Sequence, residues 1–316
     1  MSISSLSSKD LNLLPVLQML LEERNVTRAA GRLNLSQPAI SRNLSRLREL
    51  FNDPLFTRTP KGLTPTPRAE KIALQLQRSL QDLSLLIEPD EFIPAKATTR
   101  FRLATTDYGS QVLLPSVIRR LREEAPGVNL EITPWKERFV HILDQQDIDL
   151  AVCTVSDAPS MIHGRGVGED QFVCVVNQSH PLVKQSQISE SYLQNYASHA
   201  HTLITMGGEA KGAVDHLLEE QGLERRIALR VPHFVAALAL VATTDLVLTI
   251  PYGLATSCAT HYNLKTLPLP LRQKPFTYSI IWHERHRKDP GHIWFRQLVY
   301  EELSQTIRDI QARYVF

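Results

Sequence analysis

Within Ser36–Arg46 stand Ser36, Gln37, Ser41, Arg42, Ser45 and Arg46, side chains able to hydrogen-bond to nucleobase edges or phosphates. Arginine can take guanine with two parallel bonds, glutamine can take adenine, and serine serves either a base or a phosphate. Drawn on a helix, Pro38, Ser41, Arg42, Ser45 and Arg46 share one side. Ile40, Leu44, Leu47 and Phe51, spaced i, i+4, i+7 and i+11, share the other. The outer side carries hydroxyls and guanidiniums and no carboxylate of its own. Pro38 would break a helix interior, but it fits if Ser36 caps the first turn, where a missing N–H removes no intrahelical bond. The chemistry expected of this stretch is the reading of double-stranded DNA.

Such a helix needs others to hold it. Leu11, Leu14, Leu17 and Leu21 predict a helix over Asp10–Glu23, starting close enough to Pro15 to leave it in the first turn. A second helix is expected over Thr27–Leu33, with the small Ala29 and Ala30 letting a neighbour approach, and Asn34-Leu35 as a tight connection. Two short helices, a turn and a third helix with this outer face make a helix-turn-helix. Over Asp53–Thr66, short β-prone pieces flank Pro60-Lys61-Gly62, the signature of a wing. Arg58 and Lys61 would reach phosphates there, with Thr27 and Arg28 adding contacts at the second helix. Between Arg24 and Lys71 ten basic residues face only Glu49, Asp53 and Glu70, so this segment carries +7 and the remainder −5 of a net +2. That asymmetry suits a polyanion, although a solvated basic face has the same composition.

A chain of 316 residues, 43% hydrophobic and 22% charged, has the composition of a soluble protein with more than one core. No apolar run approaches the length of a membrane span. Met1–Asp10 lacks the apolar core of a signal peptide. Cys153, Cys174 and Cys258 have neither disulfide-framework nor zinc spacing. A cytoplasmic location without membrane contact is expected.

From Thr66 to about Glu88, the residues Ala69, Ile72, Leu76, Leu80, Leu83 and Ile87 form a long apolar stripe. It needs a partner, either another copy of the chain or the chain's own C-terminal domain. Glu88–Pro94 reads as a hinge. Beyond it, strands and helices alternate: strands over Phe101–Thr105, Val128–Ile132, Ile148–Cys153, Gln171–Val176, His201–Thr205, Ile227–Val231, Leu246–Ile250 and Pro275–Trp282, and helices over Gly109–Glu124, Lys136–Leu143, Lys211–Gln221, Phe234–Ala242 and Gly291–Gln311. This rhythm predicts a parallel α/β arrangement. With crossings near Gly168 and Pro270, it gives two lobes and a cleft, the plan of periplasmic binding proteins. The expected fold is thus multidomain α and α/β. A winged helix-turn-helix occupies residues 1–66, a linker helix and hinge 67–97, and an effector domain 98–316. Lobe I of that domain spans about 98–168 and 271–316, and lobe II about 169–270.

Thr27-Arg28-Ala29-Ala30, LSQPAIS and LRELFNDPLFTRTPKGLTPTPRA together resemble the winged helix-turn-helix of LysR-type transcriptional regulators. LATTDYGSQVLLPSVIRRLREEAPGVNLEI, DQQDIDLAV, LRVPHFVAALALVATTDLVLTIPYGLA and IIWHERHRKDPGHIWFRQLVYEEL are similar to that family's effector domain. Leu47-Arg48 and Phe51-Asn52 replace the family's usual Leu-Glu and Leu-Gly, as in the branch of nodulation-gene, naphthalene-degradation and leucine-operon regulators. The resemblance implies an antiparallel dimer through the linker helix, two DNA-reading heads on a pseudo-palindrome, and a dimer or homotetramer. It also implies that Thr106, Asp107, His233 and Phe234 line an effector pocket.

The carboxyl ends of strands in open α/β sheets are where ligands bind. That rule selects Thr105, Thr106, Asp107 and Tyr108; Cys153 and Thr154; Met206 and Gly207; His233 and Phe234; and Ile250, Pro251 and Tyr252, with Phe172 beside them. Helix starts near Gly109 and Lys211 would aim amides inward and favour an anion. A small aromatic or carboxylate-bearing effector is expected, with RNA polymerase as a further partner. Cys153 or Met206 as an oxidant sensor is the alternative. His283, His286 and His292 lack a four-ligand spacing, so neither a metal nor a cofactor is expected. No nucleophile elbow, Walker loop or HExxH stands in the chain, so an enzyme is not expected. A solute-binding or enzymatic α/β protein whose first ninety residues serve assembly remains the reading of a different class.

Overall fold

The computed structural model describes residues 6–60, 62–87, 91–135, 148–155, 159–185, 189–205 and 211–314. The chain divides into two compact units, Met1–Asp90 and Glu91–Phe316. The expected helix Lys136–Leu143 and the expected site residues Lys61, Met206 and Gly207 lie outside the described residues.

In the first unit, α1 (Leu13–Glu23) buries Leu13, Val16, Leu17 and Leu20. Pro15 stands in its first turn. Asn25 accepts the N–H of Arg28 at 3.0 Å and so caps α2 (Val26–Arg32). Ala29 and Ala30 are buried between helices, as their size foretells. Asn34, at φ 51°, turns the chain into α3 (Gln37–Phe51). Ser36 Oγ accepts the N–H of Ala39 at 3.3 Å, and Pro38 is the second helical residue. Ile40, Leu44 and Leu47 are buried, while Phe51 is only half-buried.

β1 (Phe56–Thr59) and β2 (Gly62–Pro65) pair antiparallel as the wing. The N–H of Leu63 donates to the Arg24 carbonyl at 2.8 Å, tying the hairpin to the end of α1. Gly62 has φ +122°, and a Cβ there would stand 2.5 Å from that carbonyl oxygen, so only glycine fits. Asp53 Oδ1 accepts from Leu55 N and Thr66 Oγ1 at 2.7 and 2.8 Å, and Thr66 in turn caps α4 (Pro67–Ile87). The stripe on α4 is divided in two. Ala69 and Leu76 are buried and Ile72 and Leu80 partly buried in the core shared with α1, whereas Leu83 and Ile87 are exposed, Ile87 at 82%.

The second unit starts before the strands. Phe92, expected in a free hinge, packs on Trp294 with ring centroids 5.2 Å apart and sits against Gly291. Sheet I is ordered β4 (Asn129–Pro134), β3 (Arg100–Thr105), β5 (Leu150–Cys153), β12 (Phe276–His283), β6 (Ile162–Asp170). Sheet II is ordered β11 (Leu264–Leu267), β7 (Phe172–Asn177), β10 (Val247–Pro251), β8 (Ala200–Ile204), β9 (Arg226–Val231).

The sheets are mixed, not parallel as the alternation suggests. β6 leaves lobe I at the hinge and the returning β12 starts there, with Phe276 opposite Asp170, so β12 must run back antiparallel. β7 likewise starts at the hinge, with Phe172 opposite Pro251. In each sheet four strands thus point their carboxyl ends at the hinge. The outward crossing is the single residue Gln171, and the return crossing, between β11 and β12, is residues 268–275.

The N–H-capped turn after β3 is π-helical over Gly109–Leu113 before α5 (Leu114–Glu124). α6 (Glu190–Ser198), α7 (Ala213–Glu219), α8 (Phe234–Val241), α9 (Tyr252–Cys258) and α10 (Pro290–Gln311) complete the lobes. The stacked rings of Phe101 and Phe295, 4.3 Å apart, mark the core of lobe I.

Candidate functional site

On the outer side of α3, Gln37, Pro38, Arg42, Ser45 and Arg46 are exposed, and Ser41 is half-buried. Two of these side chains are engaged locally. Ser45 Oγ donates to the Ser41 carbonyl at 3.3 Å, and Arg46 meets Asp10 Oδ2 at 2.6 Å. The face therefore has a carboxylate after all, brought from before α1 by the fold. Arg28 is likewise held by Glu23 at 3.1 Å, and Arg32 by Glu23 at 3.1 Å. The +7 of the segment is partly offset by acids lying just outside it. Among the described residues, the side chains of Gln37 and Arg42 on α3 and Arg58 on the wing make no ion pair or hydrogen bond. The Arg46–Asp10 pair is exposed and screened by solvent, so a phosphate can replace the aspartate. Thr27 is exposed at the start of α2, and Ser36 spends its hydroxyl on the cap.

In the second unit a cavity of about 370 Å³ opens where the lobes meet. Thr105, Thr106, Asp107 and Ser110 line it from lobe I together with Ile132, Thr133, Pro134 and Trp135, while Pro232 and His233 line it from lobe II. Four of the expected residues therefore converge. Their roles differ from a simple ring of donors. Thr105 Oγ1 donates to the Val152 carbonyl at 3.1 Å, and Thr106 Oγ1 accepts the N–H of Gly109 at 3.2 Å. Asp107 Oδ2 accepts the N–H of Val235 at 2.8 Å, so lobe I caps the start of α8 in lobe II. The hydroxyl left over is Thr133 Oγ1, buried without a hydrogen-bond partner among the described residues. In sequence this strand is expected to end at Ile132 and no site residue is selected at its carboxyl end, so Thr133, which lies inside the longer β4, is missed.

A second chamber of about 270 Å³ lies in lobe II on the other side of the α8 start. Phe172 and Phe234 line this one, with Thr202, Thr249 and Arg225. Thr202 Oγ1 is also buried without a partner among the described residues. The Arg225 guanidinium is neutralised by Asp215 at 2.6 and 3.1 Å.

Six expected residues line neither chamber: Thr154 is exposed, and Ile250 and Tyr252 are buried, as are the remaining three. Tyr108 is fully buried and turned toward the hinge, and Pro251 is buried at the end of β10. Cys153 is buried in lobe I, and burial pushes its thiol up to about 12, the opposite of what a reactive cysteine needs. At the two expected helix starts one amide each is already capped, that of Gly109 by Thr106 Oγ1 and that of Gly212 by Asp215 Oδ2 at 2.6 Å. His286 stacks on His292 at 4.5 Å, and His292 Nε2 donates to the Asp149 carbonyl at 2.8 Å, roles that belong to packing.

At the hinge the buried carboxylate of Asp170 gathers four donors. Gln171 N and Tyr314 OH reach Oδ1 at 2.7 and 2.9 Å, and Tyr108 OH and Gly253 N reach Oδ2 at 2.9 and 3.2 Å. Burial raises its pKa, with these donors working against the rise.

A capped helix presenting unpaired polar and cationic groups beside a wing, on one chain with a hinged two-lobed cavity, defines a DNA-binding regulator controlled by a small molecule. Residues 11–70 match the bacterial regulatory helix-turn-helix protein, lysR family, and residues 95–304 match the LysR substrate binding domain. The transcriptional activator NagR of Ralstonia is 34% identical over 94% of this chain and 98% of its own length. The activator NahR of Pseudomonas putida is 32% identical over 92% and 97%. The regulatory domain of MexT, a transcriptional activator in Pseudomonas aeruginosa, superimposes with a TM-score of 0.58 at 26% identity, covering 66% of this chain and all of that domain. The chain belongs to the LysR family of transcriptional regulators.

Proposed function

We propose that this chain works in the cytoplasm as a dimer or tetramer without enzymatic activity, and that a small aromatic compound bound between its lobes controls its hold on DNA. The observation that carries this is the Asp107–Val235 bond at the wall of the 370 Å³ cavity. A ligand placed there acts on a contact made by both lobes, and so can favour one lobe angle over another. Apolar Ile132, Pro134, Trp135 and Pro232, with the Thr133 hydroxyl and the His233 imidazole, suit an aromatic ring bearing one hydrogen-bonding group. The capped amides at Gly109 and Gly212 make a carboxylate the less supported variant.

In this reading Gln37, Pro38, Ser41 and Arg42 meet bases, and Thr27, Arg28, Ser45, Arg46, Arg58 and Lys61 serve the backbone. Exposed Leu83, Leu85, Leu86 and Ile87 at the end of α4 support self-association. The names of NagR and NahR support activation, and with it contact with RNA polymerase. Calorimetry of the full chain against phenols, aromatic aldehydes and benzoates tests the effector class. At least one compound should give saturable heat, weakened about fivefold by Thr133→Val for the loss of one hydrogen bond. No heat across the panel would sink it.

A further inference from the structure

We propose that residues 312–314 form a strap across the hinge that sets the resting angle between the lobes, anchored on Asp170 and closed by Tyr252. Resting on the reading that the lobes move, it adds the element that biases the movement.

α10 belongs to lobe I, and the chain after it turns toward lobe II. Tyr314 OH donates to Asp170 Oδ1 at 2.9 Å, and its ring meets that of Tyr252 edge-on, with centroids 4.5 Å apart. Tyr252 OH donates to the Arg313 carbonyl. Gln311 Nε2 donates to the Glu169 carbonyl at 2.9 Å, fixing the base of the strap beside the crossing strand. Tyr252 opens α9 and so travels with lobe II, whereas Arg313 and Tyr314 travel with lobe I. Any rotation about Gln171 therefore has to keep or break the Tyr252 contacts as a unit.

Asp170 itself sits on the pivot. It takes donors from lobe I (Tyr108, Tyr314), from the crossing (Gln171) and from lobe II (Gly253). Gly253 is seated so closely that a Cβ would lie 2.5 Å from Tyr108 Oη and 2.9 Å from Ile310 Cδ1. The pivot is thus tight, and the strap contacts, with the Asp107–Val235 bond at the cleft, are among those able to differ between two lobe angles. A packed junction of this kind has discrete arrangements instead of a continuum.

Amide hydrogen exchange of the full chain without ligand tests this, because the Val235 N–H reports the cleft contact to Asp107. Tyr314→Phe removes one hydroxyl and Tyr252→Phe another, and neither alters ring packing. Each should speed exchange at Val235 about tenfold, and the double variant should add little, because the two hydroxyls close one strap. Amides in β3 and β10 should keep their rates. Unchanged Val235 exchange in both variants would overturn the proposal. So would a uniform acceleration across both sheets, which marks a loss of overall stability. Neither result depends on whether an aromatic effector is ever found.

Discussion

Asp170→Asn is expected to destabilise the effector unit by about 2–4 kcal/mol, although the two side chains have the same shape. The reason is the direction of its hydrogen bonds. Each carboxylate oxygen accepts one backbone N–H, from Gln171 on Oδ1 and from Gly253 on Oδ2, and a backbone donor cannot be reversed. Whichever oxygen becomes an NH₂ group therefore faces a fixed donor in a site that is 1% exposed. The tyrosine hydroxyls could rotate to accept, but the amides cannot. For a unit of this size the melting temperature should fall by about 5–15 °C.

The pH dependence has a sign. A carboxyl whose folded pKa is raised contributes most below its unfolded value, and that contribution is lost as pH rises through the folded value. Asp170→Asn removes this slope as well as lowering the curve. Thermal melts of the two proteins at several pH values check both, and equal melting temperatures would refute the assignment.

Arg42→Ala is expected to lower specific DNA affinity by about 1–3 kcal/mol, roughly 5- to 150-fold, and to relax preference at one base pair. Arg42 is exposed on the outer side of α3, one turn past Pro38, and no carboxylate among the described residues holds it. Arg46 differs because Asp10 holds it at 2.6 Å. Its net gain on meeting a phosphate is reduced by the pair it gives up, so Arg46→Ala should cost less than Arg42→Ala. Arg58→Ala on the wing should weaken binding across all sequences and lower the salt slope by about one. Fluorescence anisotropy over a range of salt separates these three behaviours. Equal, sequence-independent losses at Arg42 and Arg58 would deny α3 its role as the reader.

Much of the first unit was legible in the sequence, because its signals are local. Ser36 and Pro38 announce a capped first turn, Ile40, Leu44 and Leu47 announce the buried side, and Gly62 announces a turn that nothing larger can make. Local signals do not show what the fold brings from a distance. Asp10 reaches Arg46 across thirty-six positions, and so a face that reads as free of carboxylates is not.

The same limit shaped the second unit. β6 was invisible because Ile162–Asp170 is rich in glycine and charge and lacks an apolar run. Without it, the strands read as parallel and the reversed β12 could not be foreseen. The rule that ligands gather at strand ends selected Thr105, Thr106, Asp107 and His233, which line the cavity. It also selected Tyr108, Cys153 and Pro251, since position along a strand says nothing about which way a side chain turns. Thr133, whose buried hydroxyl has no partner among the described residues, and Asp170, with its four donors, stand out only through burial and hydrogen-bond partners.

The central claim is that the α3 face reads DNA in a protein controlled through its lobes. Selection of bound sequences from a random pool of double-stranded DNA tests it most directly, using the full chain and its Arg42→Ala variant side by side. The wild type should enrich a site of two related half-sites, bound with an affinity that falls steeply as salt rises, and the variant should lose preference at one position in each half-site. Enrichment of the same sequences by both proteins, or no enrichment by the wild type at all, would contradict the account.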